Sequence, residues 1–264
     1  MVRTSRAAKV AWGVAWLIVF YLVARVVSAH AGEVPPAEAQ AFQQVFQKVA
    51  PSVVAIRAQG RDAMSGSQTR IIERGSGVLI SGDGLVLTAA YLVHGMDEIS
   101  VEFPGGVKIS ARVVTSEPAA ADLALLQLDR VPLGSIVSPM ADSNTVQVRD
   151  KVLIVGAPSY SPSVGSIGAR WAPNTAYRTM PLAEFFQADA TIDAGNSGGP
   201  MFNLKGEVVG IVSLNIATDA RSNRQGFVVT SNTAKQLLLE KRSAWSGIAQ
   251  GPCSAATAIS ARSC

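Results

Sequence analysis

The sequence predicts an all-β protein, folded as a sandwich or a barrel behind an N-terminal targeting segment. Two observations carry this prediction. Short apolar runs recur at intervals of roughly 8–15 residues from Ser52 to Thr230. Gly, Asp, Asn, Ser and Pro separate them, as at Gly82-Asp83-Gly84, which reads as a turn between two strands. Many short strands joined by turns indicate a sandwich or barrel rather than βαβ units.

The 264 residues suffice for one large domain or two modest ones. Hydrophobic residues at 48% and charged residues at 16% exclude a mainly disordered chain. The net charge is +4, from 23 Lys+Arg against 19 Asp+Glu. Arg3, Arg6, Lys9 and Arg25 account for all of that excess, and no acid lies before Glu33. The basic balance therefore belongs to the N-terminus and does not point to nucleic acid. The two histidines, His30 and His94, rule out a multi-histidine metal site, and no cofactor motif is present. Cys253 and Cys264 lie in the tail, where a disulfide and two free thiols are both compatible with the spacing.

Residues 1–31 read as a signal peptide or a membrane anchor. Arg3, Arg6 and Lys9 precede the uncharged run Val10 to Ala24. That run suits a signal-peptide core and is short for a span of roughly 20 residues. Ala29-His30-Ala31 supplies a small-x-small cleavage site. If Arg25 snorkels, residues 7–29 form an anchor in the membrane instead. Either way the remaining chain is exported.

Residues 32–50 contain a linker, EVPPA at 33–37, and a helix. Phe42, Val45, Phe46 and Val49 lie at helical spacing, and Pro51 stops the pattern. Residues 51–242 form the body. Strand-like runs are SVVAIRA (52–58), GVLIS (77–81), LVLTAA (85–90), ISVEF (99–103) and KISARVV (108–114). They continue as LALLQL (123–128), KVLIVG (151–156), EVVGIVSL (207–214) and GFVVT (226–230). Residues 157–184, with Trp171, Tyr177 and several prolines, read as a long irregular loop in preference to a binding surface. Asn232 to Arg242 is an amphipathic closing helix. Residues 243–264 form a small, polar tail that reads as disordered or loosely packed.

The sharpest motif is Gly195-Asn196-Ser197-Gly198-Gly199-Pro200. A serine between glycines can present its hydroxyl from a tight turn. The N–H groups of Gly195 and Ser197 could converge there as an oxyanion hole. Glycine and serine alone would equally make a hairpin loop. The whole hexapeptide between strands of an exported all-β protein favours the chemical reading.

This hexapeptide resembles the loop of trypsin-fold serine proteases, in particular the HtrA/Deg branch of bacterial envelope proteases. Val49-Ala50-Pro51-Ser52-Val53-Val54 resembles that family's entry strand. Gly75-Ser76-Gly77-Val78 followed by Gly84-Leu85-Val86-Leu87-Thr88 resembles its first-barrel hairpin. Ala121 to Leu126, Phe186 to Ala190 and Gly226-Phe227 agree in order and spacing, so the likeness runs from about 40 to 240. The resemblance implies two six-stranded antiparallel barrels, with the N-terminal segment and a C-terminal helix outside them. It implies Ser197 as nucleophile and Asp122 as triad acid. It maps Thr191, Ser213, Leu214 and Asn215 near the primary specificity pocket, which suggests aliphatic side chains. It further implies unfolded proteins or peptides as partners, a bacterial envelope location, and compatibility with a homo- or hetero-trimer through residues 38–50. The family usually continues into a peptide-binding PDZ domain; residues 243–264 are too short to hold one.

One position departs from the family. The histidine expected after Leu87-Thr88-Ala89-Ala90 is Tyr91. A general base must take the Ser197 proton near neutral pH. Tyrosine, with a reference pKa near 10, is ionised in only about one molecule in 10³ at pH 7. A nearby Asp122 carboxylate raises that pKa further. Neutral Tyr91 is expected to donate its O–H to Asp122 and hold the site inert. Loss of a triad histidine costs on the order of 10⁶ in kcat. His94 is the candidate substitute base, yet it lies about one helical turn, roughly 5 Å, beyond Tyr91. Asp189 and Asn196 read as residues that hold loops by hydrogen bonds, and Asp193 as a turn residue rather than a specificity determinant.

Overall fold

The structure, a computed structural model, describes residues 36–61, 70–175, 180–213 and 225–240. The targeting segment, Tyr177, Leu214, Asn215 and the tail at 243–264 lie outside the described residues. Among the described residues no helix is long and apolar enough to cross a membrane. The chain divides into two units, Met1–Ala41 and Phe42–Cys264. Of the first, only the opening of helix α1 (Pro36–Val49) is described. The helix begins earlier than the expected linker allows, because proline is tolerated in a first turn.

Among its described residues the second unit has twelve strands in two closed barrels, as the fold expectation had it. The first contains β1 (Val53–Arg61), β2 (Arg70–Leu79), β3 (Leu85–Ala89), β4 (Glu98–Glu102), β5 (Lys108–Glu117) and β6 (Leu123–Leu128), in the order β1-β2-β3-β6-β5-β4. The second contains β7 (Lys151–Val155), β8 (Pro162–Trp171), β9 (Phe185–Asp189), β10 (Pro200–Phe202), β11 (Val208–Ser213) and β12 (Gln225–Thr230), in the order β10-β11-β12-β9-β8-β7. All ladders are antiparallel, and closure leaves no free edge. The turn at Gly82-Asp83-Gly84 is present, with Gly84 at φ 95°.

Adjacent residues on a strand face opposite sides. This puts Val54, Ile56, Val86 and Leu126 inside the first barrel. Val152, Ile154, Phe186 and Val228 fill the second. Their neighbours Val53, Leu87, Leu125, Leu153, Phe185 and Val229 form a third cluster between the barrels. Phe42, Val45 and Val49 of α1 and Leu238 of the C-terminal helix complete it. Strands buried on both faces read as unbroken apolar runs, as LALLQL and KVLIVG do. The C-terminal helix starts as α2 (Ser231–Ala234) and widens to a π-helical turn over Lys235–Leu239, where the Glu240 N–H bonds the Lys235 carbonyl at 2.8 Å. Thr230 caps it by accepting from the Thr233 N–H.

Part of the expected loop at 157–184 is the ten-residue strand β8. Ile167 is its one fully buried side chain, so the strand lacks an apolar alternation to read. Its ladders to β7 and β9 hold it instead.

Candidate active site

The site lies where the two barrels meet. Ala89 of β3 pairs with Leu123 of β6. This register brings the turn after β3, Ala90–Leu92, beside the residue before β6, Asp122. Asp122 sits at φ 51°, a left-handed conformation that aspartate tolerates better than most residues. Its side chain is buried. Oδ1 accepts the Tyr91 backbone N–H at 2.9 Å, and Oδ2 accepts the Ser213 hydroxyl at 2.6 Å. The Ala90 N–H bonds the Asp122 carbonyl at 3.1 Å. Burial pushes the Asp122 carboxyl above its ordinary range, against the opposing pull of these donors.

Two expectations change here. Tyr91 reaches Asp122 through its backbone N–H, not its phenol. Ser213, mapped near the specificity pocket, spends its hydroxyl on Asp122. The ends of β6 and β11 converge, and a buried carboxylate needs a donor for each oxygen. The half-buried Tyr91 phenol stands on the Ser197 side. Burial raises its pKa most, the Ser197 hydroxyl pulls it down, and Asp122 and Glu73 add to the rise. The two hydroxyls are nonetheless not in hydrogen-bond geometry. Ser197 Oγ is buried without a partner among the described residues, as is Asn196 Nδ2 beside it.

Ser197 follows one 3₁₀ turn, Ala194–Asn196, closed by the Asn196 N–H on the Asp193 carbonyl at 2.9 Å. Such a turn sends its N–H groups toward its start and its carbonyls toward its end. Its carbonyl end therefore meets Ser197. The expected oxyanion pair, the Gly195 and Ser197 N–H groups, lies within this turn and directly after it. Beyond Ser197 the chain is locked. Gly198 stands at φ 73°, and its N–H bonds the Val212 carbonyl at 2.8 Å.

His94 is not brought to Ser197. It is exposed, and its Nδ1 meets the Ser116 hydroxyl at 3.2 Å. Its backbone N–H closes the turn on Ala90, which leaves its ring on the outer surface. Thr191 is exposed, with its carbonyl bonded by Ser163.

Ser76 was not foreseen as a site residue. Its hydroxyl donates to the Gly195 carbonyl at 2.6 Å and accepts the Ala157 N–H at 2.7 Å. Its backbone N–H bonds the Ser197 carbonyl at 2.8 Å, and its carbonyl accepts from Thr88 at 2.7 Å. The signal was its two flanking glycines. A side chain at Gly75 would strike Leu92 and the Ser197 carbonyl, so this close approach demands glycine.

Two barrels, a buried aspartate from the first and a serine in a glycine turn of the second are the parts of a trypsin-like hydrolase. Residues 75–211 match the trypsin-like peptidase domain family, and the chain belongs to it. Among its relatives is the mitochondrial serine protease HTRA2 of Bos taurus, 31% identical over 221 residues. That alignment covers 81% of this chain and 46% of the relative. A probable periplasmic serine endoprotease DegP-like from Pseudomonas putida is 35% identical over 190 residues, covering 69% of this chain and 37% of the relative. Among solved structures, the HtrA-type protease AlgW with a tripeptide shares the fold at TM-score 0.63 and 24% identity. It covers 75% of this chain and 62% of that one. The HtrA/Deg likeness read from the motifs thus holds. The chain spans less than half the length of these curated relatives.

Proposed function

We propose that this chain is an HtrA/Deg-like protein of the bacterial envelope that binds extended segments of unfolded proteins without hydrolysing them. One observation carries the reading: Tyr91 occupies the position of the triad base. In this reading Ser197 retains the place of the nucleophile and Asp122 that of the triad acid. A phenol whose pKa is raised by burial and two carboxylates does not accept the Ser197 proton at pH 7. Without a base, the acceleration falls by a factor on the order of 10⁶. Binding does not need the base, because the fold can add an extended strand beside its cleft. The tripeptide complex of AlgW supports peptide binding. The periplasmic name of the Pseudomonas putida relative and an N-terminal sequence that reads as a targeting segment support the location.

The test is turnover of an unfolded protein substrate by the full chain and by Ser197→Ala, with binding of a labelled extended peptide measured in parallel. Saturable binding without turnover is expected. Turnover in the parent that disappears in Ser197→Ala overturns the reading.

A further inference from the structure

The outer face of the first barrel carries an unusual pairing. Arg57 of β1 lies directly opposite Arg74 of β2. Like charges in directly opposed cross-strand positions destabilise a sheet. Both side chains are exposed, and neither has an ion-pair partner among the described residues. The nearby acid does not relieve them. Glu102 of β4 pairs with Lys108 of β5 at 3.5 Å.

These residues line a cleft of about 410 Å³. Ser100, the β4 neighbour of Arg57, is on the same face. The opposite wall is Ala157, Pro158 and Gly195, part of the turn that leads to Ser197. Ser76 ties the two walls together through its bonds to Gly195 and Ala157. The cleft has a size typical of ligand sites. Three cations against one carboxylate leave it two positive charges.

We infer that this cleft is a carboxylate subsite beside the Ser197 turn, taking an acidic side chain or the C-terminal carboxylate of a bound peptide between Arg57 and Arg74. The guanidinium fork suits a carboxylate, and a bridging anion removes the repulsion between the arginines. Apolar contact with Pro158 on the opposite wall would accompany it. The inference rests on the reading that the site holds a peptide.

The test uses the full chain and three labelled extended peptides of one parent sequence. One carries Gln and a C-terminal amide, one Glu and an amide, and one Gln and a free acid. At low salt a carboxylate peptide is expected to bind on the order of 10-fold more tightly than the Gln amide. Which one does so identifies the source of the carboxylate. Arg57→Gln/Arg74→Gln is expected to abolish the preference and leave the Gln amide within about twofold. The double variant is expected to melt no earlier than the parent, since it removes a like-charge pair. Arg57→Lys/Arg74→Lys is expected to keep part of the preference. Equal affinity for all three peptides overturns the subsite and leaves peptide binding standing. A preference that survives the Gln variant also overturns it. No binding of any peptide overturns both the subsite and the reading beneath it.

Discussion

The Ser213 hydroxyl donates to Asp122 Oδ2 across 2.6 Å, joining the end of β11 to the residue before β6. With the Tyr91 N–H on Oδ1, it satisfies both oxygens of a buried carboxylate. The acid of the site is thus held in place although no histidine stands beside it.

Ser213→Ala removes one of those donors. A buried carboxylate oxygen without a partner costs about 1–3 kcal/mol. The denaturation midpoint at pH 7 should fall accordingly. The deficit should shrink in acid, where Asp122 is protonated.

Asp122 also sets a pH dependence. Its folded pKa is raised by burial above the unfolded value. The native state therefore binds the proton more readily, and stability falls as pH rises through that window. Asp122→Asn keeps the shape and tolerates the positive φ. The variant should be more stable than the parent at pH 7, and the gap should close on acidification below the carboxylate range. Thermal melts across pH measure it, and a gap that widens in acid contradicts the assignment.

Tyr91→His supplies an imidazole at the base position. Turnover should rise at least 10³-fold over the parent while remaining below the full 10⁶ of an intact triad. The shortfall is expected because a triad tolerates little misplacement of its base. The gain should vanish in Tyr91→His/Ser197→Ala. Tyr91→Phe should leave turnover at the parent's level.

His94→Ala should change neither turnover nor stability by more than about 0.5 kcal/mol, as for an ordinary surface position. Loss of a measurable parental activity in this variant would establish His94 as a base.

Gly198→Ala tests the locked side of the turn. At φ 73° a side chain is strained, and its Cβ would meet the Thr88 hydroxyl and the Ser76 carbonyl. Strain of this kind costs about 1–3 kcal/mol before the clash is added. The unfolding midpoint should drop by more than that for His94→Ala.

Much of the site was legible from residue order. Asp122, Ser197 and Tyr91 stood in recognisable segments, and Tyr91 and Asp122 lie at the ends of adjacent strands β3 and β6 of the first barrel while Ser197 comes from the second. Strands with two buried faces were also legible, since their apolar runs are nearly continuous. The strand β8 was not, because Ile167 alone is fully buried along it. The role of Ser213 was misplaced because its partner lies 91 residues away.

The all-β class, most of the strands and a tyrosine where the resemblance expects histidine were legible in the residues alone. These follow from local periodicity and from covalent identity, which need no distant partner. The tertiary structure alone decided which donors serve Asp122, that His94 turns outward to Ser116, and that Ser76 grips Gly195 from 119 residues away. It alone set Arg57 against Arg74. Those facts depend on strand register and barrel closure, which bring together groups whose chemistry is invisible until they meet.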